Sequence, residues 1–449
     1  MNPRLTLAAS VAGAVIVALD GTVLTMAQPA LQRDLGASHA QVQWTSTGYL
    51  VAVASLLVFG GRLGDRFGHH RLFAVGMLGF GAASAGIGLA SGIGTVIGLR
   101  VAQGVFGALL QPATLGMLRT AYPPDRLRTP IAVRTAAIGV AAAAGPLVGG
   151  ALVAGPGWRA VFFLNVLPAL VFGVLALAVR APHPKSLVRL DLPGALLLAA
   201  TLATLVHALV ALPEQAPVLL VTAVTGTLFL RHERRTTSPL LPPDVIGTPA
   251  VGAALGTLAA ASAALSGTLF VATYLLQDTL GLDPLRTALH CLPLAVLMVA
   301  AAPCCAVLLR RVGARRTTLV ALAVLGAGIL LLSRASDTLG LCTGFGLLGA
   351  GFGTVMVAAT HVVVREAAAE SAGVAGGLQQ TAMNVGPVLG VAAATTLMGA
   401  HGGDRLPLTV LALLAAAGMM AARALPGRFS SVDNEPGDPR DRTRVPARR

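Results

Sequence analysis

The sequence predicts an all-α membrane protein of fourteen transmembrane helices, arranged as two pseudo-symmetric six-helix bundles with two helices inserted between them. Three observations carry this prediction. Of the 449 residues, 55% are hydrophobic and only 11% charged, with a mean hydropathy of +0.78; soluble domains carry about 25% charged residues and need them to face water. The apolar residues come in blocks of about 20, the length that crosses roughly 30 Å of hydrocarbon. Finally, three local patterns of the first half return in the same order 241–246 residues later.

Apolar windows between charged or Pro/Gly punctuation place the first bundle at 6–28, 43–62, 72–91, 94–118, 130–153 and 160–179. Two inserted spans follow at 193–212 and 216–230, the second the shortest of all. The second bundle runs over 249–276, 287–309, 317–333, 338–362, 372–399 and 406–424. As domains, these give 1–181, an insert with its flanking loops at 182–246, and 247–425, followed by a basic, Pro- and Asp-rich disordered cytoplasmic tail at 426–449. The first span is too long for a signal peptide and contains Asp20, so it stays as a span.

Topology checks the count. With both termini in the cytoplasm, the inward loops hold most basic residues, from Arg62, Arg66 and Arg71 through Lys185 to Arg315, Arg316 and Arg365. The outward loops hold only Arg33, Arg159, Arg286, Arg334 and Arg405, the asymmetry of the positive-inside rule. The net charge of +14 is therefore read as topogenic loops in a multi-pass protein of the cell membrane, not as a nucleic-acid surface. Cys291, Cys304, Cys305 and Cys342 lie in apolar stretches with no disulfide or metal-ligand spacing, and are read as packing. The sole lysine, Lys185, follows Pro184, so there is no phosphate-binding loop. No metal motif or cofactor fingerprint appears either, and an ion gradient is the remaining obvious energy source.

The repeat matches the Gly68 loop to Gly313, Phe106-Gly107 with Arg119 to Phe352-Gly353 with Arg365, and Gly145-Pro146 with Gly149 to Gly386-Pro387 with Gly390. Similar halves enclosing a site at their interface suit alternating access.

Chemistry concentrates at a few positions. Asp20 is the carboxylate placed well inside a span; there an acid costs roughly 2.5–3.5 kcal/mol and needs a partner, a proton or a water-filled cavity. Arg100, Gln103, Gly104, Gly107 and Gln111 share one face of the fourth span. A buried arginine keeps its proton, so Arg100 must meet a carboxylate, a carbonyl or water. The loop from Gly61 through Asp65, Arg66 and Gly68 to Arg71 has glycines for a tight reversal and an acid that can pair with the surrounding arginines or a helix N-terminus. Such a cluster can latch one conformation. In the fifth span, Gly145-Pro146 bends the helix, and Gly145 and Gly149 form a small-xxx-small contact. Gln379, Gln380 and Asn384 in the thirteenth span, with Tyr274, His207, His290 and His361, are further candidates to line a cavity.

These residues resemble the major facilitator superfamily and, more narrowly, its fourteen-span drug:proton antiporter branch, over about residues 5–425. Gly61 to Arg71 resembles the superfamily's signature loop. Arg100-Val101-Ala102-Gln103-Gly104 is similar to the fourth-span motif, and Gly145 to Gly150 to the antiporter motif. Leu19-Asp20-Gly21-Thr22-Val23, and Trp158-Arg159 through Phe162 to Asn165, resemble motifs of the fourteen-span branch. The departures are His69-His70 where basic residues are usual, Arg310 in the position of Asp65, and no second membrane carboxylate beside Asp20.

The resemblance implies a monomeric, cofactor-free, proton-coupled exporter of amphipathic small molecules, acting in multidrug efflux and antibiotic resistance, with no enzymatic activity. Asp20 exchanges a proton and Arg100 tunes it, with Gln103, Gln111, Gln380 and Asn384 near the substrate path. A transporter of one specific metabolite, and a non-transport membrane sensor or enzyme, are the alternatives.

Overall fold

The computed structural model describes residues 3–123, 126–178, 191–210, 217–236, 239, 248–366, 372–401 and 405–427. The expected tail beyond 427 lies outside them. The described residues are helical nearly throughout. The first half contains α1 (Pro3–Leu35), α2 (His39–Phe67), α3 (His69–Gly88), α4 (Ile93–Ala121), α5 (Arg128–Ala154), α6 (Trp158–Phe163) and α7 (Val166–Ala178). The inserted pair is α8 (Leu192–Val210) and α9 (Val218–Arg235). The second half contains α10 (Pro249–Tyr274), continued by a π turn at Leu275–Thr279, then α11 (Pro284–His290), α12 (Leu292–Leu332), α13 (Thr338–Glu366), α14 (Ala372–His401) and α15 (Arg405–Ala422).

Every predicted span contains a helix, but fourteen is not reached as a count of membrane-long helices. Among the described residues, eleven are long and apolar enough to cross a bilayer, or twelve with α5, which bends by 41° between Thr129–Ala142 and Ala144–Ala154. The bend has a chemical cause: Pro146 has no N–H for the Ala142 carbonyl four residues back. The inserted pair falls short. The apolar part of α8 is Leu192–Ala208, and α9 ends in Arg231, His232, Glu233, Arg234 and Arg235.

Local chemistry explains the turns. Ser38 and Gln41 form a reciprocal capping box that starts α2, satisfying two otherwise orphaned N–H groups. Gly68 ends α2 and begins α3 at φ 98°, and Gly313 kinks α12 at φ 83°. Both values favour glycine, and both stand at matched positions of the repeat. Gly313 thereby divides α12 into the two predicted spans on either side.

The other two matches are also equivalent joints. A Cβ at Gly145 or Gly149 of α5 would run into Thr22 or Val23 of α1; at Gly386 or Gly390 of α14 it would run into Ala259 or Ala263 of α10. Gly107 of α4 faces Tyr49 of α2, while Gly353 of α13 faces Met298 of α12. Without bulk apolar driving force in lipid, such close backbone approaches supply the packing. The two halves are thus pseudo-symmetric bundles of one major-facilitator-type fold.

The first bundle is organised around α1 against α5 and α2 against α4, and the second around α10 against α14 and α12 against α13. Between halves, α2 packs on α14 and α5 on α11; α8 covers the α2–α14 seam through Leu202 and Val206 against Val51, Ala54, Val388 and Ala392. Outward-facing apolar side chains such as Leu167, Leu170 and Val174 on α7 and Leu413 and Met420 on α15 form the surface that lipid would contact. We call the end where α1 begins the near face and the end where α1 finishes the far face.

Close packing gives a direct test. A Cβ at Gly390 would collide with the Ala263 carbonyl oxygen, whereas one at Gly98 meets nothing within 4 Å. Gly390→Val is therefore expected to abolish or sharply reduce folded protein, while Gly98→Ala leaves stability unchanged or raises it by up to about 1 kcal/mol. Thermal unfolding of the purified protein in detergent reads both.

Candidate functional site

The central feature is a charged cluster sealed inside the first bundle. Arg100 reaches from α4 to Asp20 on α1, with Nη1 donating to Oδ2 at 2.6 Å. Its Nε donates to the Thr45 carbonyl of α2 at 2.8 Å, and its guanidinium carbon stands 4.5 Å from the centre of the Tyr49 ring. Gln103, one turn further along α4, accepts from Arg100 through Oε1. Its Nε2 donates to Asp20 Oδ1 at 3.3 Å and to Ser84 Oγ of α3 at 2.6 Å. Asn165, in the break between α6 and α7, donates to Asp20 Oδ1 at 2.9 Å and reaches Ser84 Oγ at 3.4 Å.

Asp20 is 2% exposed and Arg100 1%. Two charges so deeply buried persist only because their hydrogen-bonding positions are nearly filled; removing one partner of such a pair typically costs about 3–5 kcal/mol. All five elements that supply partners, α1, α2, α3, α4 and the α6–α7 break, belong to the first bundle. Asp20 thus points into that bundle and not into a crevice between the halves. The reason is Arg100: a guanidinium that cannot shed its proton is best buried against the one carboxylate within reach.

The remaining predicted residues form separate groups. Gln111 lies on α4 toward the near face, half-buried and away from the cluster. On α14, Gln380 is half-buried, and Asn384 is buried with its Nδ2 unpaired, while the neighbouring Gln379 donates to Thr360 Oγ1 at 2.7 Å. Neither Gln380 nor Asn384 meets the Asp20 cluster. His207 and His361 are exposed, His290 Nδ1 donates to the Arg286 carbonyl, and Tyr274 is buried against His39 with ring centres 4.8 Å apart.

In the near-face loop, Asp65 pairs with His69 at 3.1 Å rather than with an arginine. The His69 ring lies in a slot between Gly64 of α2 and Gly116 of α4, where a Cβ on either glycine would collide with it. The reversal at Gly68 brings His69, the first residue of α3, onto Asp65 in the last turn of α2, whereas Arg66 points away over the Phe67 ring, 5.3 Å from its centre. Arg62 donates to the Pro239 carbonyl at 2.7 Å, linking the loop to the segment after α9. Arg71 is exposed and Gly61 faces Pro112 of α4.

The α5 break joins the halves. Gly145 and Gly149 face α1, and Gly150 faces Pro284 and Ala288 of α11. With it, contacts at the far face hold the halves together: Arg33–Asp278 at 3.3 Å, Gln277 Nε2 donating to the Met26 carbonyl at 3.3 Å, and His39 against Tyr274. Asp34 stabilises the same face, accepting from Trp158 Nε1 at 3.0 Å and Arg159 Nη1 at 2.6 Å.

Ser84, Thr45 and Tyr49 escape the sequence reading because polar and aromatic residues at such positions are unremarkable until helix rotations are known. Asn165 is visible as an amide in an apolar run. Arg134, inside the fifth span, also escapes it, although a charge there is a plain signal.

Comparison with known proteins fits this architecture. The Major Facilitator Superfamily model matches residues 11–391 and, separately, 255–446. The chain is 40% identical over 421 residues to a tetracenomycin C resistance and export protein of Streptomyces glaucescens, covering 90% of this chain and 78% of that one. It is 37% identical over 403 residues to a puromycin resistance protein of Streptomyces alboniger, covering 86% and 80%. The solved structure of a bacterial homologue of the human lysosomal transporter Spinster, inward-facing and unoccupied, superposes with a TM-score of 0.68 at 16% identity, covering 94% of this chain and 97% of that one. With matched glycine joints in both bundles and sequence agreement along nearly the whole length, this chain belongs to the Major Facilitator Superfamily and is a multi-pass membrane transporter of small molecules, not an enzyme.

Proposed function

We propose that this transporter exports amphipathic small molecules, drugs or a secondary metabolite, in exchange for protons. The observation that carries the reading is the sealed Asp20–Arg100 pair, a titratable carboxylate held by a permanent cation inside one moving bundle. Protonating Asp20 leaves Arg100 uncompensated in a low-dielectric interior, a penalty relieved by any conformation that lets water reach the guanidinium. Proton binding is thereby linked to rocking of the bundles.

In this reading the near face is cytoplasmic, both termini lie inside the cell, and the molecule works as a monomer in the cell membrane. The far-face contacts then close the outer side. The units that rock are 1–181 and 247–425, with 182–246 riding on their seam. The loop of Gly61, Asp65, Arg66, Gly68 and Arg71 latches the near face through Asp65–His69. The joint at Gly145, Pro146, Gly149 and Gly150 transmits the motion from α1 to α11. Gln103 acts with Asp20, while Gln111, Gln380 and Asn384 contribute to the substrate path. Support for export comes from relatives whose names state resistance to, or export of, tetracenomycin C and puromycin. Because each name carries a single compound, a transporter of one defined metabolite is the second reading.

In everted vesicles given a pH jump, Asp20→Asn is expected to lose proton-driven export of a probe such as ethidium. Arg100→Gln in the same protein should restore folded yield without restoring coupling, since it removes the orphaned charge. Wild-type coupling in Asp20→Asn would rule Asp20 out. Asp65→Asn, which weakens only the exposed latch, is expected to reduce turnover while leaving thermal stability within about 1 kcal/mol; an unchanged turnover would remove the latch role. A panel of chemically unrelated compounds separates the two substrate readings, since the single-metabolite transporter responds to one scaffold.

A further inference from the structure

Arg134 carries a second, independent charge within the membrane. It lies six residues past Arg128, where α5 begins, and is only partly exposed. Its Nε and Nη2 donate to Thr114 Oγ1 of α4 at 3.1 and 2.8 Å. Thr114 is itself satisfied by neutral groups: its hydroxyl donates to the Gln111 carbonyl at 2.7 Å, and its carbonyl accepts from Ser10 Oγ at 2.7 Å. Hence the hydroxyl turns its lone pairs to the guanidinium but offers no charge.

Among the described residues, no ion pair includes Arg134. Helices α4 and α5 contain no Asp or Glu, and on α1 the acids are Asp20, committed to Arg100, and Asp34 at the far face. A guanidinium carries five N–H donors, and the single hydroxyl engages two of them.

The direction of the side chain matters as much as its charge. At six residues' depth, about 9 Å from the helix start, an arginine can extend to the interface and keep its head in water. Here it turns sideways to Thr114, which lies seven residues before the near-face end of α4 and so at similar depth. Helix α5 packs along α1 and barely touches α4, so the guanidinium bridges the gap between them. The contacts that join the halves at the far face leave Arg134 on the opposite side of that closure. Along α4, fourteen residues or about 21 Å separate Thr114 from Arg100, so this is not part of the Asp20 cluster.

We propose that Arg134, steadied by Thr114, is a recognition site for the anionic group of an amphipathic organic acid, a carboxylate or an ionised phenol, entering from the near face. The inference rests on the transport reading and narrows its substrate class. A cation that no described carboxylate compensates, in a low-dielectric interior, attracts an anion over a long range, and a guanidinium can grip two carboxylate oxygens at once. Arg100 cannot do this, because Asp20 already occupies it. Lipid phosphate is the competing source of anionic oxygens.

The test uses the full chain in nanodiscs of phosphatidylcholine, with binding of fluorescein, an organic anion, and rhodamine 6G, a cation, read by fluorescence anisotropy. Arg134→Gln is expected to weaken fluorescein at least about tenfold and to leave rhodamine 6G within about twofold. Arg134→Lys, which keeps the charge, should retain part of the fluorescein affinity and shows that the site, not folding, has changed. No fluorescein binding by the wild type, equal losses for both dyes, or no loss in Arg134→Gln would each overturn the proposal. So would displacement of fluorescein by phosphatidylglycerol from the wild type alone, which would assign the guanidinium to lipid headgroups. Wild-type binding of fluorescein without transport of any probe sinks the transport reading and leaves the anion site standing. Export of fluorescein that is indifferent to Arg134→Gln does the reverse.

Discussion

A guanidinium that stays charged wherever it is put sets the terms for the first bundle. Arg100 is almost wholly buried, and burial of an unpaired charge is prohibitive, so Asp20, Gln103, the Thr45 carbonyl and the Tyr49 ring are gathered around it. Ser84 and Asn165 then complete the coordination of Asp20 and Gln103 from α3 and the α6–α7 break. Five elements are held in register by one neutral-overall network. Its members depend on one another, because a partly satisfied buried network is more costly than an apolar core. A change in charge at any point must therefore be felt by the whole bundle.

How such a change reaches the other half follows from the glycine joints. α1 carries Asp20 and, two residues on, Thr22, which lies directly against Gly145 of α5. Gly149 touches Val23, and the adjacent Gly150 touches α11 in the second bundle. A short mechanical chain therefore runs from the carboxylate through a Pro-broken helix to the opposite half. The same joint is built by Gly386 and Gly390 against α10, so both bundles share a fulcrum of backbone on backbone. Close backbone approach leaves little room for gradual deformation, which favours rigid-body rocking over bending within a bundle.

The two polar layers of the first bundle differ in electrostatic state. Around Arg100 the charge is cancelled and sealed; about 21 Å away along α4, Arg134 meets, among the described residues, only the Thr114 hydroxyl. A cancelled pair holds structure, whereas the proposed anion site depends on a cation that no described carboxylate cancels. The sequence reading singles out Arg100 and passes over Arg134.

Much of the fold is legible because membranes make errors expensive. Charge-poor apolar blocks had to be helices, and matched Gly68 and Gly313 had to mark equivalent reversals, since few other residues tolerate such positive φ. Asp20 and Arg100 stand out because each is costly unless paired or wetted. The sequence cannot show how each helix is rotated about its axis, and that rotation decides partners: Asn165 and Ser84 for the acid, His69 instead of an arginine for Asp65, Thr114 for Arg134, and none of these for Gln380 or Asn384. The inserted pair shows the same limit, its apolar stretches marking helices without fixing a full crossing. By itself, then, the chain determined which segments enter the membrane and which charges must be answered there, because transfer free energy depends on composition. Only the tertiary structure decided which group answers which charge, because a contact of a few ångströms depends on helix rotation and depth that no single segment encodes.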